Sequence, residues 1–179
     1  HRGLCHGAVR LRPGFKRFAV SAGSWITGID AKAWVCMHRN HHQHSDTDMD
    51  PHSPLRFGVL GVAMGQLRSY ERTLGGLIRG RTQYTSVVSD LDFPVHWFNR
   101  RKVWYLPYLL HAVIGLALSL LSGYALLGAA YWLGMMSHPV QGWMVNSLAH
   151  KFGYRNFETT DNSKNNSIVS WLVVGEGYQ

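Results

Sequence analysis

Residues 34–54, WVCMHRNHHQHSDTDMDPHSP, form the chemically densest stretch of the chain, because five of its eleven histidines fall there. On a helix of 3.6 residues per turn, His38, His41 and His42 stand at i, i+3 and i+4, so their imidazoles project from one face. That spacing suits ligands of a shared metal site. The alternative is a solvated polar turn with titrating histidines.

His1 and His6 form a second, weaker candidate for metal binding. The opening HRGLCH separates them by roughly 140° around a helix, so one uninterrupted helix cannot direct both imidazoles at one ion. Two ions, or a helix that ends between the two residues, would resolve this. The alternative is a chance pair of surface histidines.

Carboxylates and a further histidine follow the HxxHH group, in a stretch that prolines take out of helix. Metal-bound histidines usually donate their second ring N–H to a carboxylate or carbonyl, so Asp46, Asp50 and His52 are candidate partners of the metal-binding histidines. Hydrogen bonding within a loop, or capping of a helix end, explains the presence of each of them equally well. Trp34 lies one helical turn before His38, where it either contacts a substrate or packs in the core.

Two apolar stretches must bring these residues together. Residues 103–121 and 124–145 contain no Asp, Glu, Lys or Arg, and each is long enough to cross about 30 Å of hydrocarbon as a helix. We therefore predict a transmembrane hairpin, which returns the chain to the side on which it started. Asn146 and His150 follow at i and i+4 and share a helical face, so His150 can meet the HxxHH histidines in space.

The chain is basic, with a formal net charge of +8 and a pI near 9.8. In a soluble protein this charge would suggest nucleic acid as a partner, but the long uncharged stretch excludes that class. The basic residues flank the hairpin as the positive-inside rule expects, and phospholipid headgroups account for them. Cys5 and Cys36 are too few for a disulfide framework, fit a reducing compartment and receive no role.

Three further features are less diagnostic. Residues 18–29 are apolar but short, and we expect a helix at the membrane interface or packed on the spans. Residues 58–98 are polar and rich in glycine, which predicts a cytosolic linker, or else a basic surface for an anionic headgroup or an acidic redox partner. His111 and His138 fall within the apolar stretches, where neutral histidines bonded to a neighbouring helix are favoured over a functional role.

Four motifs occur in the order HRGLCH, HRNHHQHSDTDMDPHSP, NSLAHKFGYRNFE and GEGYQ, with the hairpin between the second and the third. In this order and spacing, the chain resembles the integral-membrane fatty acid desaturases, specifically the bacterial and cyanobacterial relatives of stearoyl-CoA desaturase. The resemblance implies an all-α membrane protein, a four-span helical bundle with a cytosolic cap. This chain would hold one transmembrane hairpin and the cap.

The resemblance also implies which residues bind metal. In this family, histidines of three boxes and an NxxxH element hold two non-haem Fe²⁺ ions. By resemblance, the histidine ligands in this chain are His1, His6, His38, His41, His42 and His150. Asn146 would reach iron through water, Trp34 would line the bend of the acyl tunnel, and Gln179 stands where the family's third box, HxxHH, begins.

The chain departs from the family pattern at its end, because the two histidines that would follow Gln179 are absent. We therefore expect a single desaturase domain over residues 1–179 that is truncated at both ends, lacks two spans and is itself inactive. Its cytosolic segments would be residues 1–102 and 146–179. The parent would lie in the bacterial inner membrane, with the metal site on the cytoplasmic side.

The activity implied for the parent is that of an oxidoreductase, an O₂-dependent desaturase that introduces a cis double bond, of the delta-9 type, into acyl-CoA or acyl-lipid. A ferredoxin or cytochrome b5-type carrier and its reductase would deliver two electrons. The rival interpretations are a membrane di-iron hydroxylase of the same superfamily and a non-catalytic membrane protein that binds zinc or stores iron.

Overall fold

The computed structural model describes residues 3–45, 47–48, 50, 53–158 and 162–178. Four residues of the predicted site fall outside these ranges: His1, Asp46, His52 and Gln179. Within the ranges the regular structure is entirely helical, apart from an isolated bridge between Tyr154 and Asn165. The all-α class is therefore confirmed for the described residues.

The helices of the described residues include one 3-10 turn, Ser86–Val88, and one π-helix, Met144–Leu148. The α-helices are, in chain order, α1 (Pro13–Thr27), α2 (Ala31–His44), α3 (Pro54–Ile78), α4 (Thr82–Thr85), α5 (Trp97–Arg100), α6 (Leu106–Ser122), α7 (Ala125–Met136), α8 (His138–Trp143), α9 (Ala149–Lys151) and α10 (Ser167–Leu172).

These helices are distributed over two compact units. Unit 1 comprises the described residues up to Cys36 together with Thr73–His138. Unit 2 comprises Met37–Arg72 together with the described residues from Pro139 onward. The helices α2 and α3 each contribute residues to both units.

In unit 1, α1 begins at Pro13, whose missing N–H costs nothing in the first turn of a helix. It ends at Gly28, where φ is 71° and the backbone N–H donates to the Ser24 carbonyl at 2.9 Å. A Cβ on Gly28 would lie 2.6 Å from the Tyr108 ring, so this position also needs glycine for close packing. The predicted helix within residues 18–29 is confirmed, and it packs against α6 and α7.

The helices α6 and α7 pack against each other as a hairpin joined at Gly123, whose φ of 73° ends α6. Their closest approach joins two further glycines, since a Cβ on Gly115 would lie 3.0 Å from the Gly128 carbonyl oxygen. A Cβ on Gly128 would collide with Gly115 and with the Ser119 hydroxyl. Small residues therefore set the spacing of this helix pair, as they do where apolar helices cross closely.

The second predicted span, residues 124–145, is not a single helix. α7 ends at Met136, α8 begins at His138 and a π-helix follows. Pro139 lacks the N–H that an uninterrupted helix would use at this point, which explains the break. Within the described ranges, none of the helices combines enough length with enough apolar character to cross a membrane. The transmembrane hairpin stays a prediction.

The prediction of a linker over residues 58–98 was wrong, because α3 runs from Pro54 to Ile78. Gly76 marks close packing instead of flexibility, since a Cβ there would collide with the Tyr84 ring. Gly58 is the exception: its φ of 67° interrupts the helical backbone and turns the first residues of α3 away from the rest.

Asp30 joins two segments of unit 1. One carboxylate oxygen accepts the Ala33 N–H at 2.8 Å and caps α2, and the other accepts the His96 N–H at 2.6 Å. Burial raises the pKa of the Asp30 carboxyl and lowers the pKa of the His96 imidazole. Trp25 packs edge-on against His96 and Phe98, with ring centroids 6.3 Å and 5.4 Å apart.

In unit 2, the chain after α9 folds back on the turn that carries His150. The Lys164 N–H donates to the Ala149 carbonyl at 2.8 Å, directly before His150. Asn166 caps α10 by accepting the Val169 N–H at 3.0 Å. The first bond satisfies a carbonyl at the end of α9 and the second an N–H at the start of α10, groups that helix ends otherwise leave unpaired.

Candidate metal centre

The histidines of α2 lie as their spacing predicts. His38 and His42 approach each other most closely, with the two Nε2 atoms 3.0 Å apart. Two nitrogens bound at right angles to one ion, with bonds of about 2.1 Å, also lie about 3.0 Å apart. The His41 ring lies 5.6 Å from that of His42, centroid to centroid. The donor geometry of His38 and His42 therefore fits a shared metal ion without rearrangement of the helix.

His41 is held by a buried carboxylate. Its Nδ1 donates to the Asp50 Oδ1 at 2.9 Å, and the two residues are 3% and 1% exposed. The loop that returns Asp50 to α2 is short: the Asp50 N–H donates to the Thr47 carbonyl, and the Thr47 hydroxyl donates to the His44 carbonyl at 2.7 Å. With the proton on Nδ1, the lone pair of His41 resides on Nε2, the nitrogen that can bind a metal.

His150 reaches this group across a long stretch of sequence. Its ring lies 5.7 Å from that of His41, and the side chain is 5% exposed. The predicted meeting of His150 with the α2 histidines is therefore observed for His41. Its role as a metal ligand stays a prediction, as do those of His38, His41 and His42.

A π-helix carries Asn146 and precedes His150, where the sequence predicted a regular α-helix. The Val59 carbonyl holds this segment in place, because it accepts the Trp143 indole N–H at 2.7 Å and the Ser147 hydroxyl at 3.0 Å. Val59 directly follows the Gly58 kink. π-Turns often occur at functional sites, because they shift the following side chains around the helix axis.

The sequence missed this positioning role of Trp143, Ser147 and Val59. The only available signal was the glycine before Val59. A glycine in a helical pattern often marks a kink, but no pattern shows which distant donors will meet the carbonyl that the kink exposes.

The remaining predicted site residues are only partly placed. His6 is exposed and belongs to unit 1, as does the half-buried Trp34, and their roles in metal and substrate binding stay predictions. Four more residues of the predicted site lie outside the described residues: His1, Asp46, His52 and Gln179.

His111 and His138, the two histidines of the apolar stretches, differ in their hydrogen-bond partners. The His111 Nδ1 lies 2.7 Å from the Tyr131 hydroxyl and its Nε2 donates to the Trp25 carbonyl at 3.2 Å, so the expected hydrogen bonding to neighbouring helices is confirmed for it. His138 instead bonds the Met135 carbonyl of the preceding turn at 3.1 Å. Its buried Nε2 finds no hydrogen-bond partner within the described part of the chain.

The donor set consists of imidazole nitrogens backed by a buried carboxylate, which suits a borderline transition metal such as iron or zinc more than calcium or magnesium. The fold and the site thus define a class of protein: helical, with a cluster of histidines whose spacing suits such a metal.

The chain matches the family described as fatty acid desaturase over residues 1–179. It is 31% identical to a sn-1 stearoyl-lipid 9-desaturase of Anabaena variabilis over 180 residues, which cover 99% of this chain and 61% of that protein. It is 30% identical to an icosanoyl-CoA 5-desaturase of Limnanthes douglasii over 181 residues, 99% of this chain and 48% of that protein. It is 29% identical to a stearoyl-CoA desaturase of Capra hircus over 188 residues, 99% of this chain and 50% of that protein.

The chain belongs to the fatty acid desaturase family, as its motifs predicted, and its relatives are oxidoreductases. It spans about half to three-fifths of the length of these relatives.

Proposed function

We propose that this chain is the metal-binding part of an oxygen-dependent desaturase that introduces a cis double bond, of the delta-9 type, into a long-chain acyl group. The observation that carries the proposal is the convergence of the His38 and His42 nitrogens beside the buried pair of His41 and Asp50. When bound there, two non-haem irons would supply an oxidant made from O₂ and two electrons. The overall change takes two hydrogens from adjacent methylenes, consumes two protons and releases two waters.

The residues of the chain have distinct tasks in this proposal. His38, His41, His42 and His150 bind iron, together with His1 and His6 of the first box. Asp50 keeps the proton on the His41 Nδ1, which orients the ring and makes its other nitrogen a better ligand. Burial of His41, Asp50 and His150 excludes water from their side of the site, whereas His42 is exposed.

Four further assignments rest on the family resemblance. Asn146 contacts iron through a water molecule, and Gln179 is the first residue of a variant third box. Trp34 lines the bend of the acyl tunnel. Asp46 and His52 provide further hydrogen bonds to ligand histidines.

The acyl substrate is carried on CoA or in a lipid, because the relatives' names include both carriers. A ferredoxin or a cytochrome b5-type carrier with its reductase supplies the electrons. We place the protein in the bacterial inner membrane with its metal site on the cytoplasmic side. The uncharged stretch of residues 103–145 and its basic flanks support that placement.

The fatty-acid profile of a desaturase-deficient host tests the proposal. The host would express the complete gene product, its His41→Ala variant or a His44→Ala variant, and the profile would be read by gas chromatography with mass spectrometry. His44 lies on the same helix but outside the proposed ligand set, so His44→Ala is the matched control.

New monounsaturated acids from the wild type and His44→Ala, but not from His41→Ala, would support desaturation and locate the double bond. Hydroxylated products would replace the proposal with a hydroxylase. Stoichiometric zinc in the purified protein, with no response of activity to iron, would favour a non-catalytic metal-binding protein.

A further inference from the structure

Unit 1 contains a cavity of about 660 Å³ that no part of the proposed chemistry uses. It opens between α1, which contributes Arg17, Val20 and Ser21, and the segment of residues 93–101. All of its lining residues belong to unit 1, and none of them is a candidate metal ligand.

Three arginines line this cavity: Arg17, Arg100 and Arg101. All three are exposed, and no ion pair to any of them occurs among the described residues. Asp92, the acidic residue next to the cavity wall, is already paired with Lys16 at 2.5 Å. The three guanidinium groups therefore concentrate positive charge at the cavity, and Asp92 offsets part of the charge of Arg17.

The wall that faces α1 is held in place by hydrogen bonds. The Lys32 ammonium donates to the Leu91 carbonyl at 2.8 Å and to the Phe93 carbonyl at 3.0 Å, and Asp30 accepts the His96 N–H. A binding wall that is already ordered loses little conformational entropy when a ligand arrives.

The rest of the lining is apolar and aromatic. Val20, Phe93 and Trp97 face the cavity, and Trp97 is 46% exposed. The apolar helix α6 begins shortly after Arg101, and the two aromatic residues at its start, Trp104 and Tyr105, are also exposed. Arginine and exposed tryptophan beside the start of an apolar helix are the pattern found at the headgroup level of a membrane.

We propose that this cavity binds the phosphate headgroup of an anionic phospholipid. Guanidinium groups bind phosphate through paired, charge-assisted hydrogen bonds, and the apolar wall would receive the glycerol and the first carbons of the acyl chains. The site goes beyond desaturation and does not depend on metal. It rests only on the proposed membrane location, which fractionation of the same cells checks separately.

Calorimetric titration of the complete gene product in detergent tests the site. The probes are dihexanoyl-phosphatidylglycerol, dihexanoyl-phosphatidylcholine, CoA and inorganic phosphate. The test variant carries Arg17→Gln, Arg100→Gln and Arg101→Gln. The matched control carries Arg10→Gln, Arg12→Gln and Arg155→Gln, which remove the same charge from exposed residues outside both the cavity and residues 58–98.

We expect saturable binding of phosphatidylglycerol that is about tenfold weaker in the test variant, since exposed ion pairs contribute modestly each, and unchanged in the control. Arg17→Lys, which keeps the charge, should retain most of the binding. Equal affinity of the two triple variants would overturn the proposal. So would tighter binding of CoA, or binding of inorganic phosphate as tight as that of phosphatidylglycerol, because the ligand would then not be a lipid.

Discussion

His41 in unit 2 and His111 in unit 1 are both buried, but their partners differ in kind. His41 donates to the carboxylate of Asp50, whereas His111 accepts from the Tyr131 hydroxyl and donates to the Trp25 carbonyl. A carboxylate makes the opposite ring nitrogen a stronger ligand, while two neutral partners occupy both nitrogens. Burial alone therefore does not identify a metal-binding histidine; the identity of its partners does.

The surroundings of these two histidines differ in the same way. In unit 2, the Val59 carbonyl fixes the segment before His150 through directional hydrogen bonds. In unit 1, the helices α6 and α7 meet through contact between Gly115 and Gly128. Hydrogen bonds specify orientation, which a metal site requires, whereas close packing specifies distance.

Among the changes that test this contrast between His41 and His111, replacement of the Asp50 carboxylate has the largest expected effect. Asp50→Asn removes the charge that holds the His41 tautomer, so metal affinity and activity should fall by about 10-fold to 100-fold. The iron content of the purified complete protein, measured by mass spectrometry, and its product yield report the change.

Tyr131→Phe is the matching change at His111. It should leave metal content unaltered and lower the free energy of unfolding by about 1 kcal/mol, because one hydrogen bond is lost. If Tyr131→Phe lowered iron content as much as Asp50→Asn does, the distinction between the two histidines would be wrong.

The packing of unit 1 is tested by Gly128→Ala. The added Cβ would meet the Gly115 carbonyl and the Ser119 hydroxyl, so the hairpin must separate, at a cost of about 1–3 kcal/mol. Gly134→Ala lies on the same helix with nothing within 4 Å of the new Cβ, and should be neutral or stabilising by up to about 1 kcal/mol. Thermal unfolding measures the stability of both variants. Equal losses of stability would contradict the close approach of α6 and α7 at Gly115 and Gly128.

Removal of the donors to Val59 should have a smaller effect. Trp143→Phe and Ser147→Ala each delete one hydrogen bond, worth about 0.5–1.5 kcal/mol, and the double variant leaves the carbonyl without either side-chain donor. We expect reduced iron content as well as reduced stability.

Ser137→Ala provides the control for these donors, since the Ser137 hydroxyl makes an exposed hydrogen bond to the nearby Gly134 carbonyl at 2.6 Å. It should leave iron content unchanged. A double variant with full iron content would show that the π-helix does not depend on Val59.

The smallest expected effect is a pH dependence in unit 1. Burial lowers the pKa of His96 below its usual 6.5, so the unfolded chain binds a proton before the folded one does as pH falls. The contribution of His96 to stability is therefore complete above about pH 6.5 and is lost as pH falls through its folded pKa. Asp30, whose pKa is raised, acts with the opposite sign: its contribution to stability is complete below about pH 3.8 and is lost as pH rises through its folded pKa.

His96→Phe keeps an aromatic ring against Trp25 and Phe98 but removes the titrating group. Thermal unfolding between pH 7.5 and 5.5 should show a shallower loss of stability in this variant than in the wild type. Parallel curves for the two proteins would mean that His96 does not titrate differently on folding.

The predictions from sequence succeeded where the spacing was local. The i, i+3 and i+4 positions of His38, His41 and His42 place them on one face of α2, because helical geometry fixes the directions of nearby side chains. The linker prediction failed because glycine lowers helix propensity in isolation, while packing such as that of Gly76 against Tyr84 outweighs it.

The sequence by itself determined the family, the helical class and the α2 histidines, because these depend on motif order, composition and a fixed helical period. Only the tertiary structure decided that Asp50 binds His41, that His150 lies beside that ring and that Val59 holds the π-helix. The contacts of His150 and Val59 join residues distant in the chain and depend on how the helices pack, while the contact of Asp50 depends on how a short loop closes. No local periodicity encodes that outcome.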